Sequence, residues 1–151
     1  MIMPPVRKIT TLVTSNYGKR IRNRRIEYHN GVDLRTVKIT SSREELQKIV
    51  VTEDCTIIDK GVDKLGNTYL RLRPLVSYWL TEIIYVHVDL SDIRFIGHSA
   101  RRLSAGTALG YSELGGNSTG HHLHFSIKNF RGYANPIHDY FIPNGIKYKF
   151  K

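Results

Sequence analysis

Apolar and polar residues alternate in short stretches along most of the chain, and these stretches are rich in Val, Ile, Thr, Tyr and Leu with Gly, Pro or Asn between them. A period of two puts one set of side chains on each face of an extended segment, so the pattern predicts half-buried strands joined by irregular connections. Strands are expected over residues 9–13, 32–37, 56–59, 68–73, 83–88, 107–111 and 122–128, and Asn144-Gly145 predicts a tight turn into a last strand over 146–150. One segment departs from the pattern. Ser42-Arg43-Glu44-Glu45 reads as a capping box that opens a short helix running to about residue 49. The expected class is mainly β with minor α, an antiparallel sheet with one inserted helix. Residues 15–28 are expected to form a long basic loop, of the kind that often carries function in compact domains.

Composition bears more on partners than on fold. At 151 residues, with 40% apolar and 24% charged, the chain suits one domain with a real core, and no repeat, low-complexity tract or linker divides it. The net charge of +10 is uneven: residues 1–26 hold Arg7, Lys8, Lys19, Arg20, Arg22, Arg24 and Arg25 and no Asp or Glu. Such a surface favours nucleic acid, an anionic membrane or the anionic polymers of a bacterial wall, or it is simply a solvated face. The lone Cys55 excludes an internal disulfide framework and reads as a small buried strand residue. Residues 1–8 lack an apolar segment of signal-peptide length and no run approaches a membrane span. The chain is therefore expected to be soluble, without an export signal.

The alternation acquires chemistry at Gly120-His121-His122-Leu123-His124-Phe125. On a strand His122 and His124 share a face, Leu123 and Phe125 enter the core, and His121 points the other way. Tyr28-His29-Asn30-Gly31-Val32-Asp33-Leu34 adds a third imidazole and a carboxylate. Taken together, His29, Asp33 and His124 form a donor set suited to a catalytic zinc, with a position open for a water whose pKa falls toward ~7. Gly31 is expected to permit an unusual backbone angle that lets His29 and Asp33 converge. His122 is left beside such a metal, and His87 in Ile83-Ile84-Tyr85-Val86-His87-Val88 is a natural second imidazole. The two could bracket the water and the oxyanion as proton acceptor and donor. Either could instead be a fourth ligand, which would make the site closed and structural. His98, His121 and His138 read as ordinary hydrogen-bonded core or surface residues.

In order along the chain, five blocks resemble those of the lysostaphin and LytM type of zinc endopeptidases, which cut peptide bonds in bacterial peptidoglycan. They are Thr14-Ser15-Asn16-Tyr17-Gly18-Lys19-Arg20, Tyr28-His29-Asn30-Gly31-Val32-Asp33, Leu65-Gly66-Asn67, Tyr85-Val86-His87, and Ser104-Ala105-Gly106-Thr107-Ala108-Leu109-Gly110 followed by Asn117-Ser118-Thr119-Gly120-His121-His122-Leu123-His124-Phe125. The resemblance implies residues 1–151 as a single zinc peptidase domain, with an antiparallel sheet beneath a groove closed by loops. It implies one Zn2+ per chain on His29, Asp33 and His124, with His87 and His122 catalytic, and Asn117, Ser118 and Thr119 are read as substrate-binding. Residues 35–48 and Arg73-Pro74-Leu75-Val76-Ser77-Tyr78-Trp79-Leu80 depart from the family pattern, and because loops form the groove walls, they bear on specificity.

The leading expectation is a zinc-dependent endopeptidase of peptidoglycan stems or cross-bridges, held on anionic wall polymers by the basic stretch Lys19 to Arg25. A second reading is a non-catalytic, zinc-containing wall-binding or regulatory module. A nucleic-acid binder rests only on charge and on Tyr17, Tyr28, Tyr78 and Trp79, and no specific nucleic-acid partner is expected. With no signal segment seen, the expected setting is a bacteriophage lysis enzyme or virion part, present in the virion or in host cytoplasm before lysis and acting on the wall.

Overall fold

Strands with one buried and one open face assemble into a nine-stranded sheet in the computed structural model, which describes residues 2–91, 101–115 and 120–151. The order is β11 (Arg102–Leu103), β8 (Cys55–Val62), β9 (Thr68–Pro74), β10 (Glu82–Val86), β13 (His122–Asn129), β4 (Val32–Arg35), β1 (Thr11–Ser15) and β15 (Tyr148–Phe150), with β14 (Gly132–Ala134) also pairing on β13. Neighbours are antiparallel except β1 and β15. Among the described residues three ribbons lie off this sheet: β2 (Gly18–Arg22) with β3 (Arg25–His29), β5 (Val37–Ile39) with β6 (Glu44–Leu46), and β7 (Ile49–Val50) with β12 (Ala108–Gly110). Among the described residues no helix is long and apolar enough to cross a membrane.

The pleat separates core from site. Leu123, Phe125 and Ile127 of β13, Val32 and Leu34 of β4, and Ile83 and Tyr85 of β10 are fully buried on one face. Phe125 meets Tyr85 edge-on, with ring centroids 5.3 Å apart, and stacks obliquely on Tyr140 and Phe141 of a short wide-turned helix, Ile137–Phe141. Residues of the intervening positions, His122, His124 and Ser126, face the other way into a groove of about 1010 Å³. Cys55 is buried at the start of β8, as the strand reading expects, and burial together with the nearby Glu53 and Asp54 charges pushes its thiol up to about 12.

Three local expectations fail, each for a physical reason. The capping-box helix does not form: Glu44–Leu46 is a strand whose Glu44, Glu45 and Leu46 pair with Ile39, Lys38 and Val37. An eight-residue helix is marginal alone, whereas β-branched Val37 and Ile39 supply an extended partner across a turn in which Thr40 and Arg43 bond each other. The strand expected over 32–37 breaks at buried Thr36, whose hydroxyl bonds Ser112. The basic loop expected over 15–28 is largely the β2–β3 hairpin, turned at Asn23 and Arg24 with φ of 52° and 62°. Two successive left-handed residues make a type I′ turn, and Arg in place of the usual Gly hides it in the sequence.

Candidate metal centre

Asp33 of β4 and His124 of β13 sit directly opposite each other across an antiparallel pair, and His29 ends β3 just before the turn into β4. The alternation therefore brings residues 91 positions apart to one spot. His29 Nε2 lies 3.3 Å from Asp33 Oδ1 and 3.1 Å from His124 Nδ1, which is itself 3.1 Å from the same carboxylate oxygen. Gly31 makes this possible by lacking a side chain rather than by an unusual angle, which corrects the expectation. Its φ is not positive, but a Cβ there would lie 2.5 Å from the Phe125 carbonyl oxygen and from Ser126 Oγ, and 3.0 Å from His124 Nε2.

The far nitrogens of both rings are already committed. His29 Nδ1 donates to the Asn16 carbonyl at 2.8 Å, and His124 Nε2 donates to Asn30 Oδ1 at 2.8 Å with Ser126 Oγ at 3.0 Å. Two imidazole lone pairs and a carboxylate oxygen then converge with no hydrogen between them, an arrangement that calls for a cation. Zinc with bonds of about 2.0–2.2 Å in a tetrahedral site needs donor separations of roughly 3.3–3.5 Å. The triangle fits within a few tenths of an ångström, and these three residues could hold a metal ion. Burial would raise the Asp33 carboxyl, but protons on His124 and His29 would bond it and hold it well below the usual carboxylate range. A metal competes with those protons for the same lone pairs.

Two more imidazoles stand beside the triangle. His122 Nε2 is 3.8 Å from Asp33 Oδ1, while its Nδ1 donates to the Gly120 carbonyl at 2.9 Å, so its other lone pair is free to face the groove. His87 follows Val86, which pairs with His124 on the groove face. A regular strand would bury His87 in the core with Ile83 and Tyr85, contrary to a strand running to residue 88. Instead the strand ends at Val86 and His87 takes φ 69°, held by a bond from its N–H to the Thr68 carbonyl and another from Glu113 N–H to its own carbonyl. That rare backbone re-aims the ring to 4.7 Å from the His122 ring, lining the groove. Burial first, and then positive charge on His122 and His124, pushes His87 down to about 4.

Of the other assignments, His121, just before β13 begins, bonds Ser112 Oγ and still borders the groove, contrary to the expectation that it points the other way, and His138 is exposed on the short helix. The proposed substrate-binding Asn117, Ser118 and Thr119, and His98, lie outside the described residues. Sequence reasoning gave no role to Asn30 or Ser126, which bond His124, and read Arg20 only within the basic stretch, whereas its Nη1 is 3.7 Å from Asp33 Oδ2 and its Nε bonds Glu27 at 2.6 Å. Ser126 was reachable by the same period of two. Asn30 sits in a turn with no period to read.

No family model matches the sequence, and comparison with curated proteins gives no match. Solved structures do match. A zinc-containing peptidase from Vibrio cholerae aligns over 89% of this chain with a TM-score of 0.63 and 21% identity. The chain has the lysostaphin/LytM-type fold. The catalytic domain of the antimicrobial peptidase lysostaphin from Staphylococcus simulans aligns over 83% of this chain and 86% of its own, with a TM-score of 0.56 and 21% identity. A chain of the SpoIIIAH–SpoIIQ complex aligns over 91% of this chain and 99% of its own, with a TM-score of 0.65 and 15% identity. The chain spans 39% of the Vibrio cholerae peptidase chain.

Proposed function

We propose that the protein is a zinc-dependent endopeptidase that hydrolyses peptide bonds in the stems or cross-bridges of bacterial peptidoglycan. The observation that carries this reading is the convergence of His29 Nε2, His124 Nδ1 and Asp33 Oδ1, with His87 and His122 set edge-to-face beside them in one groove. Its lysostaphin-type fold supports the choice of substrate. Bound zinc would supply a Lewis acid and a water acidified toward neutral pH. The residues of this chain do the rest. Hydrolysis needs a proton taken from the attacking water and another returned to the leaving amine. His122, its Nδ1 tied to Gly120, offers Nε2 to the groove for that exchange, and His87, neutral at neutral pH, stands beside it as the second acceptor or donor.

Purified protein should hold about one zinc per chain and release peptides from sacculi, with mass analysis across wall chemotypes identifying the bond. Zinc-replete protein that leaves both sacculi and short Gly- or D-Ala-containing peptides intact would favour the second reading, a wall-binding or regulatory module. The likeness to a chain of the SpoIIIAH–SpoIIQ complex keeps that alternative in view. The phage setting adds a separate check: the protein should be found in purified virions, or should accumulate as infected cells lyse.

A further inference from the structure

The groove floor carries charge well beyond the metal centre. Counting along β13, His124 is opposite Val86, Ser126 is opposite Ile84, which is opposite Arg71, and Lys128 is opposite Glu82. Each such step is about 7 Å, so Arg71 stands one step and Lys128 two steps from the His124 row. Glu82 lies beneath both cations and is nearly buried: it accepts from Arg71 Nε at 2.5 Å and sits 3.7 Å from Lys128 Nζ. Asp59 braces Arg71 Nη1 from the outer side at 3.6 Å and accepts from Tyr69 Oη at 3.0 Å. Arg71 and Lys128 line the groove, whereas Glu82 and Asp59 do not. With side chains 39% and 32% exposed, the two cations are held from below and open above. Two carboxylates balance the two cations, but it is the cations that line the groove, where an anionic group of a ligand meets them first.

We propose that Arg71 and Lys128 form a carboxylate-binding subsite that recognises a free carboxylate on the substrate peptide, about two to four residues from the bond that is cut, given ~3.4 Å per extended residue. This rests on the peptidase reading and sharpens it, since it makes an acidic peptide strand the preferred substrate class. The test uses the full zinc-loaded chain and pairs of synthetic wall-type peptides identical except for a carboxylate or carboxamide at that position. The carboxylate member should show a kcat/KM at least tenfold higher, mostly through KM, and the preference should shrink with added salt. In Arg71→Gln and Lys128→Gln the ratio should fall toward one, and Arg71→Lys should keep part of it. The ratio is read within each variant, so a general loss of activity cancels. Lys128→Gln also covers the case where Arg71→Gln, leaving Glu82 unpaired, does not fold. Equal cleavage of both peptides, or an undiminished preference in Lys128→Gln, would overturn the subsite while leaving the peptidase intact. If neither peptide is cut, the peptidase reading fails, and calorimetric titration of the same two peptides decides the subsite by itself: equal affinities overturn it.

Discussion

Hydrogen bonds on the far sides of the His29, His122 and His124 rings separate the roles of the imidazoles that line the groove. Asp33→Ala removes a donor from the triangle and should abolish stoichiometric zinc, whereas His122→Ala should retain one zinc per chain and lose about 10²–10⁴-fold in peptide hydrolysis, read by metal analysis beside a cleavage assay. Asn30 fixes the tautomer of His124 from outside the triangle, so Asn30→Ala should weaken zinc about 10–100-fold in a competitive chelator titration without changing the fold. His87 has a pH signature of its own. Its folded pKa of about 4 lies below the ordinary 6.5, so between these values the unfolded chain binds the extra proton. The stability this residue contributes is fully present above pH 6.5 and is lost as pH falls toward 4, by no more than about 3 kcal/mol. Urea unfolding of metal-free protein at pH 4.5 and 7 should show a larger difference for wild type than for His87→Gln; equal differences would remove burial of a neutral imidazole as the cause.

At the level of elements, the sequence announced strands wherever both faces had a defined fate and misled where they did not. β13 was legible because Leu123, Phe125 and Ile127 enter the core between groove-facing residues, and Asp33 could be placed on the same terms in β4. The β2–β3 hairpin was not, because Ile21, Ile26 and Tyr28 are exposed and its turn uses Asn23-Arg24 in place of a glycine pair. The residues near 44–46 were misread because a capping motif is local, while the choice between helix and strand was settled by a partner strand ending at Ile39. The β2–β3 hairpin carries Lys19, Arg20, Arg22, Arg24 and Arg25 against one acid, Glu27, and Arg20 and Arg22 both lean on that acid. If its tip dwells on anionic wall polymers, the double change Arg24→Gln with Arg25→Gln should lower retention on sacculi and reduce the slope of log affinity against log salt. Retention that is unchanged, or insensitive to salt in the parent, would assign the charge to solubility.

For the whole molecule, the centre draws on two strands of the main sheet and one hairpin, so metal binding should couple to global stability rather than to a local loop. His29 arrives from β3, Asp33 from β4 and His124 from β13. The unfolded chain does not bring His29, Asp33 and His124 together, so zinc binds the folded state in preference. Zinc present at about 100 times its dissociation constant should therefore stabilise the fold by about 2.7 kcal/mol. A chelator should reverse this, lowering Tm by several degrees, with ~2–4 °C expected per kcal/mol at this size. The dependence on pH has a fixed sign as well: His29 and His124 must shed protons to bind, so the zinc-induced shift should grow from pH 5 to pH 7. Because the sheet itself is held by Phe125, Tyr85, Tyr140 and Phe141, far-ultraviolet circular dichroism below the transition should be the same with and without metal. Loss of that signal on chelation at 25 °C would mean that zinc builds the fold, and the centre would then be structural rather than a site laid on a sheet that stands without it.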